Sequence, residues 1–155
     1  MPPRPEPRPA VERGVAVPAR RFGFAWLALC GVLALHVTDE ALTDFLSVYN
    51  PAVRALRAHA PFLPLPTFTF GVWLAGLVAG IALLFALAPL AFRGRRLAVW
   101  LAHLYALIMF ANGLGHIGGS FYLGRWAPGM TTAPLLLVAS AWLFRTARQV
   151  PRAEP

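Results

Sequence analysis

One imidazole and two carboxylates lie within five residues of this sequence, at His36, Asp39 and Glu40, directly after the apolar stretch 22–35. Ionisable groups at the end of an apolar stretch of membrane length are costly to keep there, and they usually mark a functional site. At about 100° per residue, His36, Glu40 and Asp44 follow one another along one face of a helix. The spacing therefore predicts a polar stripe whose partners lie on other helices of a bundle.

A second polar pair, Asn112 and His116, is separated by four residues, so both side chains share one helix face. At about 1.5 Å per residue, His36 and Glu40 lie about 22 and 28 Å beyond the arginine that precedes their apolar stretch. By the same rise, Asn112 and His116 lie about 24 and 30 Å beyond the arginine that precedes theirs. The two pairs reach the same depth, which predicts one shared polar site.

Two imidazoles and a carboxylate are a suitable ligand set for Zn²⁺, Mn²⁺ or non-haem iron, with one position left for water or substrate. We therefore predict a divalent metal held by His36, Glu40 and His116. Such a metal activates water for attack on an ester, amide or phosphodiester bond. The predicted catalytic residues are Glu40 and Asp39, which offer a general base, and Asn112, whose amide can orient a ligand.

The predicted substrate-binding residues are Arg125 and Trp126, in the glycine-rich segment after His116. The forked donors of an arginine suit an anionic headgroup. Together with the metal site, these residues predict a metal-dependent, hydrolase-like enzyme that acts on a lipid or another amphiphile.

The composition indicates a membrane protein, because 58% of the 155 residues are hydrophobic, only 13% are charged and the mean hydropathy is +0.61. All 14 basic residues are arginine and the net charge is +8, a balance that could indicate nucleic-acid binding in a soluble chain. The apolar stretches favour contact with anionic lipid headgroups instead. We expect membrane lipids as partners, and no nucleic acid.

The chain divides into a Pro/Arg-rich arm over residues 1–20, a membrane domain over 21–148 and a tail over 149–155. The arm has no apolar periodicity, which predicts disorder with some polyproline II structure. The membrane domain is predicted to be an all-α bundle of four transmembrane helices, with a short interfacial helix at 52–60 between spans one and two. Span one is expected to continue as helix to about Tyr49 and to break at Asn50 and Pro51.

Span two is predicted over residues 68–92, with Gly71, Gly76 and Gly80 forming a small-residue face for close packing. Span three starts at Leu97, and a glycine-rich loop is expected from Gly118. Span four covers about 131–144.

The arginines predict the orientation of these spans. All of them except Arg54, Arg57 and Arg125 lie in the two terminal segments or in the turn at 93–96. By the positive-inside rule, that side is the cytoplasm. We therefore expect a multi-pass protein of the inner (plasma) membrane with both termini cytoplasmic and the polar site facing outwards.

At these positions the chain resembles the HXXEE-motif family of small bacterial membrane proteins. The resemblance is carried by His36-x-x-Asp39-Glu40 and by Asn112-x-x-x-His116 followed by Trp126-x-Pro128-Gly129. The family pattern has glutamate at the place of Asp39 and tyrosine at that of Trp126. The resemblance supports a site at these residues and implies no particular reaction.

Less specific interpretations compete with the enzyme hypothesis. His36 and Glu40 can form a structural hydrogen-bonded pair between helices. The cluster can also bind a proton, cation or lipid in a small non-enzymatic membrane subunit, as a pH-sensitive switch. A scaffold or a homo-oligomer would use the small-residue face of span two. Asp44 is interpreted as a solvated carboxylate, and His103 as a histidine of the helix bundle outside the site.

Overall fold

The computed structural model describes residues 10–151, and all regular structure in this range is helical. This confirms the predicted all-α class for the described part of the chain. There are five helices: α1 (Ala10–Leu42), α2 (Leu46–His59), α3 (Phe70–Phe92), α4 (Arg96–Leu123) and α5 (Ala133–Gln149).

Three segments are long and apolar enough to cross a membrane: Val17–Leu42 within α1, the whole of α3 and the whole of α4. The predicted fourth span corresponds to α5, which has 17 residues. At about 1.5 Å per residue such a helix is about 25 Å long, shorter than the ~30 Å hydrocarbon core. A membrane-like helical fold with three candidate spans is therefore established, and the four-span arrangement stays a prediction. The short helix expected between spans one and two is present as α2.

The core follows one stripe of α1. Its fully buried side chains recur every three or four residues, as expected for the inward face of a helix. The indole Nε1–H of Trp26 donates to the Leu84 carbonyl oxygen at 2.8 Å and ties α1 to α3. The stripe comprises Phe22, Ala25, Trp26, Leu29, Cys30, Leu33 and Val37. Because this stripe continues beyond Leu33, the next inward positions on α1 fall at the polar cluster.

Helix α5 packs against both α1 and α4, and small residues let it approach. Ala133, Ala139 and Ala147 of α5 are buried. A Cβ on Gly113 of α4 would come within 2.9 Å of the Leu137 side chain and 3.1 Å of the Ala133 carbonyl oxygen. The absent side chain of Gly113 favours this close crossing, which brings the start of α5 beside the last third of α4.

The predicted arm is partly helical, because α1 begins at Ala10. The segment 10–20 contains a single proline, Pro18, whose missing N–H costs one helical hydrogen bond and leaves the rest of the segment free to form helix. Helix α1 thus begins inside the predicted arm, and the expected disorder of the arm stays a prediction. Residues 1–9 and 152–155 lie outside the described range.

The first span ends earlier than expected. Helix α1 stops at Leu42. Asp44 takes a left-handed conformation (φ 55°) in the turn between α1 and α2. Asn50 and Pro51 lie inside α2 rather than at a break. The Asn50 amide exchanges two hydrogen bonds with the backbone of Phe68, at 2.9 and 3.0 Å, so its role is to tether α2 to the start of α3.

The expected glycine-rich loop begins later than predicted. Helix α4 continues through Gly118 and Gly119 to Leu123 and ends at Gly124, which has a φ of 61°. Ser120 supports this last turn because its hydroxyl donates to the His116 carbonyl oxygen at 2.9 Å.

The small-residue face predicted for span two has no packing role within residues 10–151. A Cβ at any of its glycines would meet no atom of this part of the chain within 4 Å. The glycines concerned are Gly71, Gly76 and Gly80.

Candidate metal centre

His36 and Glu40 continue the buried stripe of α1. Their exposed fractions are only 1% and 4%, although both side chains are polar. His36 and Glu40 are one helical turn apart, so both point towards the space between α1 and α4. Burial of polar side chains without partners is costly, so the surrounding helices must supply those partners.

Helix α4 supplies the third member of the cluster. His116 is 8% exposed, and its Nε2 lies 3.1 Å from Glu40 Oε1. The same carboxylate oxygen lies 3.7 Å from His36 Nε2. The two imidazole rings meet edge to face, with their centroids 4.6 Å apart. Residues separated by some eighty positions in the chain therefore share one buried site, as the depth argument predicted.

The loop before α5 fixes the orientation of His116. Its Nδ1 lies 2.7 Å from the Pro128 carbonyl oxygen. A carbonyl can only accept, so Nδ1 carries the proton and, in the neutral ring, the Nε2 lone pair faces Glu40. Gly129 lies against the same ring: with φ at 78°, a Cβ there would come within 2.7 Å of His116 Cε1. Pro128 and Gly129 of the sequence motif thus fix the orientation of the His116 ring.

His36 is oriented by a relay through Thr132. The Thr132 hydroxyl and backbone N–H both donate to Asp39 Oδ2, at 2.9 and 3.1 Å. Since the hydroxyl proton is used there, its oxygen accepts from His36 Nδ1–H at 2.8 Å. The His36 Nε2 lone pair then points into the cluster. Asp39 also caps the first turn of α5, where a negative charge is favourable.

Two imidazole lone pairs and a carboxylate oxygen therefore converge in a buried space without a donor to satisfy them all. The three ligand atoms lie within 4.8 Å of one another. Two ligands bound at about 2.0–2.1 Å to one ion are themselves about 3–4 Å apart, close to the Glu40 contacts with both histidines. The group His36, Glu40 and His116 could hold a metal ion. Histidine ligands whose other nitrogen is held by a carbonyl or carboxylate relay are typical of such sites.

The other predicted catalytic residues surround this group rather than join it. Asp39 is directed towards Thr132, because neighbouring residues of a helix point about 100° apart. Asn112 lies on the same face of α4 as His116, and its buried Oδ1 has no hydrogen-bond partner among residues 10–151. Asp44 is exposed in the turn after α1.

The predicted substrate-binding residues are exposed. Arg125 and Trp126 lie in the loop after α4, and the Trp126 indole N–H donates to the Thr131 hydroxyl at 3.2 Å. His103 is outside the cluster: its Nδ1 lies 2.7 Å from the Val99 carbonyl oxygen, as expected for a bundle histidine.

Sequence reasoning missed Thr132, and it gave no role to Pro128. Both act on the outer nitrogen of a histidine and come from the segment between α4 and α5. A weak signal for Thr132 exists, since a threonine two residues before Pro134 is typical of a helix start. Nothing in the spacing indicated that this start would face His36.

Fold and site together define a class: an all-helical, membrane-like protein with a buried His-Glu-His group that could hold a metal. The chain belongs to the family described as "Protein of unknown function with HXXEE motif", which matches residues 26–143. The resemblance seen in the sequence is thereby confirmed. No curated protein and no solved structure matches the chain.

Proposed function

We propose that this protein is a metal-dependent membrane hydrolase that cleaves a lipid or another amphiphile at its His-Glu-His site. The observation that carries the proposal is the convergence of the two histidine Nε2 atoms on Glu40, with both Nδ1 atoms engaged elsewhere. A divalent cation between these three acceptors would satisfy all of them at once. A bound divalent ion supplies a Lewis acid that activates water and polarises the scissile group.

The residues around the ion have separate roles in this proposal. Glu40 would bind the ion through one carboxylate oxygen and act as the general base through the other. Asp39 acts through Thr132 and holds His36 in the binding orientation. Asn112 lines the cavity beside His116, where it can orient a polar group of the substrate. Arg125 is exposed and can contact an anionic headgroup.

We further propose that α5 serves as a fourth span and that the protein is a multi-pass protein of the inner membrane. The arginine distribution supports a cytoplasmic location of both termini and an extracytoplasmic site. The metal would be Zn²⁺, Mn²⁺ or Fe²⁺, all of which accept two imidazoles and a carboxylate. Assembly into a homo-oligomer stays a prediction.

A proton-binding switch is the second candidate, and one distance favours it. A proton on His116 Nε2 would bond to Glu40 Oε1 at 3.1 Å without any metal. His36 Nε2 would remain without a partner, because it lies 3.7 Å from the same oxygen and makes no other hydrogen bond in the described chain. An unpaired buried acceptor is costly, which favours a metal over a proton.

Chelation tests the proposed function. Detergent-purified protein is expected to carry about one divalent ion per chain and to hydrolyse at least one of three amphiphile classes: ester, amide or phosphodiester. A chelator should abolish turnover, and addition of Zn²⁺, Mn²⁺ or Fe²⁺ should restore it. Elemental analysis and product release from mixed micelles are the measurements. If the protein binds metal but hydrolyses none of the three classes, the hydrolase proposal is contradicted. If the purified protein contains no metal, the result favours the proton switch.

Thr132 provides a test of the orienting relay. Thr132→Val keeps the shape but removes the hydroxyl between Asp39 and His36, so metal affinity should fall about 10–100-fold, the usual effect of losing such a partner. Thr132→Ser keeps the hydroxyl and should bind as the wild type does. Competition with a chromophoric chelator measures both. Equal affinity in the two variants would show that the relay does not position His36.

A further inference from the structure

A cavity opens directly beside the metal ligands, between the start of α2, the last third of α4 and the loop before α5. Its volume is ≈ 260 Å³. We name it the chain pocket and define it by Phe45, Val48, Gly115, Gly119 and Leu123. Most of the residues that line the cavity are apolar, and Asn112 and His116 are the polar residues among them.

We propose that the chain pocket receives one alkyl chain of an amphiphilic substrate and so places its scissile group at the proposed metal site. This inference rests on the proposed hydrolase function. The size of the cavity supports one chain, because pockets for larger ligands measure roughly 300–1,000 Å³. The wall of the cavity offers an alkyl chain the apolar surface that it needs.

The space for the chain comes from two glycines of α4. Gly115 and Gly119 are one helical turn apart, and a Cβ on either would meet no atom within 4 Å. Their missing side chains leave a groove along the helix that faces Phe45 and Val48. Gly118 does not line the cavity, although it too has open space around it.

One part of the chain pocket adjoins the proposed metal site, because His116 lines the cavity as well as contacting Glu40. Asn112 lines the cavity too, but its Oδ1 is buried and does not form part of the open wall. A chain in this pocket would therefore place the scissile bond of an amphiphile beside His36, Glu40 and His116.

Photolabelling tests the chain pocket without requiring activity. The probe is a single-chain fatty amide with a diazirine in its chain, presented in detergent micelles, and the labelled residues are mapped by peptide mass spectrometry. In the wild type, labelling should concentrate on Phe45, Val48 and Leu123. In Gly119→Leu, a side chain fills the groove and excludes at least two methylene groups, so pocket labelling should fall about tenfold.

Gly118→Leu is the matched control, because it adds the same side chain one position away and outside the pocket. It should label as the wild type does. Labelling spread evenly over lipid-facing residues, or equal pocket labelling in Gly119→Leu and the wild type, would overturn the inference. Metal content separates the two proposals. Labelling of the chain pocket in protein that contains no metal would support the chain pocket and contradict the hydrolase. Diffuse labelling in protein that contains metal would contradict the chain pocket and leave the proposed metal site standing.

Discussion

A His116→Ala variant is expected to purify without stoichiometric metal and to lose all metal-dependent hydrolysis. In the proposed site His116 would supply one of the three ligand atoms found among residues 10–151, and it is the one contributed by α4. Its removal should cost more than the ~10–100-fold in affinity that follows loss of an outer partner. Elemental analysis after detergent purification measures the bound ion, and circular dichroism checks that the variant remains helical.

His103→Ala is the matched control, since His103 also lies in α4. It is about 20 Å from His116 along the helix axis at 1.5 Å per residue. Its Nδ1 contacts the Val99 carbonyl and its ring packs edge-on against Phe144, with centroids 5.1 Å apart. This variant should keep its metal. Equal metal content in both variants, whether full or absent, would contradict the assignment of His116 as a ligand.

The clustering of His36, Glu40 and His116 could be predicted from the sequence, because in a straight helix the number of residues from a fixed point gives the height along the helix axis. His36 and Glu40 on one helix and His116 on another are each a fixed number of residues from an arginine at the membrane surface, so their levels follow from the helical rise. The buried stripe of α1 then decides which way the polar pair points. Apolar side chains up to Leu33 face inwards, and the next inward positions are His36, Val37 and Glu40.

The supporting partners could not be predicted, because they depend on where α5 docks. Thr132 and Pro128 lie in a segment whose sequence is typical of any turn before a helix. They reach the histidines only because Gly113 lets α5 cross α4 closely. The position of this crossing is a property of packing between helices, which single-sequence patterns do not contain.

The helix ends were the least predictable part of the fold. The sequence favoured a break at Pro51, but the chain turns at Asp44, whose left-handed backbone has no strong sequence signal apart from its residue type. Likewise Gly118 and Gly119 indicated a loop. They remain helical because α4 already has a glycine cap at Gly124 and because Ser120 supports its last turn.

The adjacent carboxylates of the motif have different environments because they are neighbours on one helix. Asp39 points about 100° away from Glu40 and therefore meets the start of α5, where the Thr132 N–H and hydroxyl receive it. Glu40 points inwards to the two imidazoles. A single motif can in this way provide both a ligand and the group that orients a second ligand. Within the group His36, Glu40 and His116, only Glu40 would then bring negative charge to a bound ion.

Glu40→Gln is expected to weaken metal binding by roughly 10³-fold, because it removes the only anionic ligand while keeping the side chain's size. A unit charge close to an ion contributes about 4 kcal/mol at an effective dielectric constant of 20, which corresponds to that factor. Chelator competition measures the affinity. Asp44→Asn is the control: it removes a carboxylate one turn further on, exposed and outside the cluster, and should leave affinity unchanged. A Glu40→Gln protein that binds metal as tightly as Asp44→Asn would show that the charge of Glu40 does not hold the ion, and it would contradict the assignment of Glu40 as a ligand.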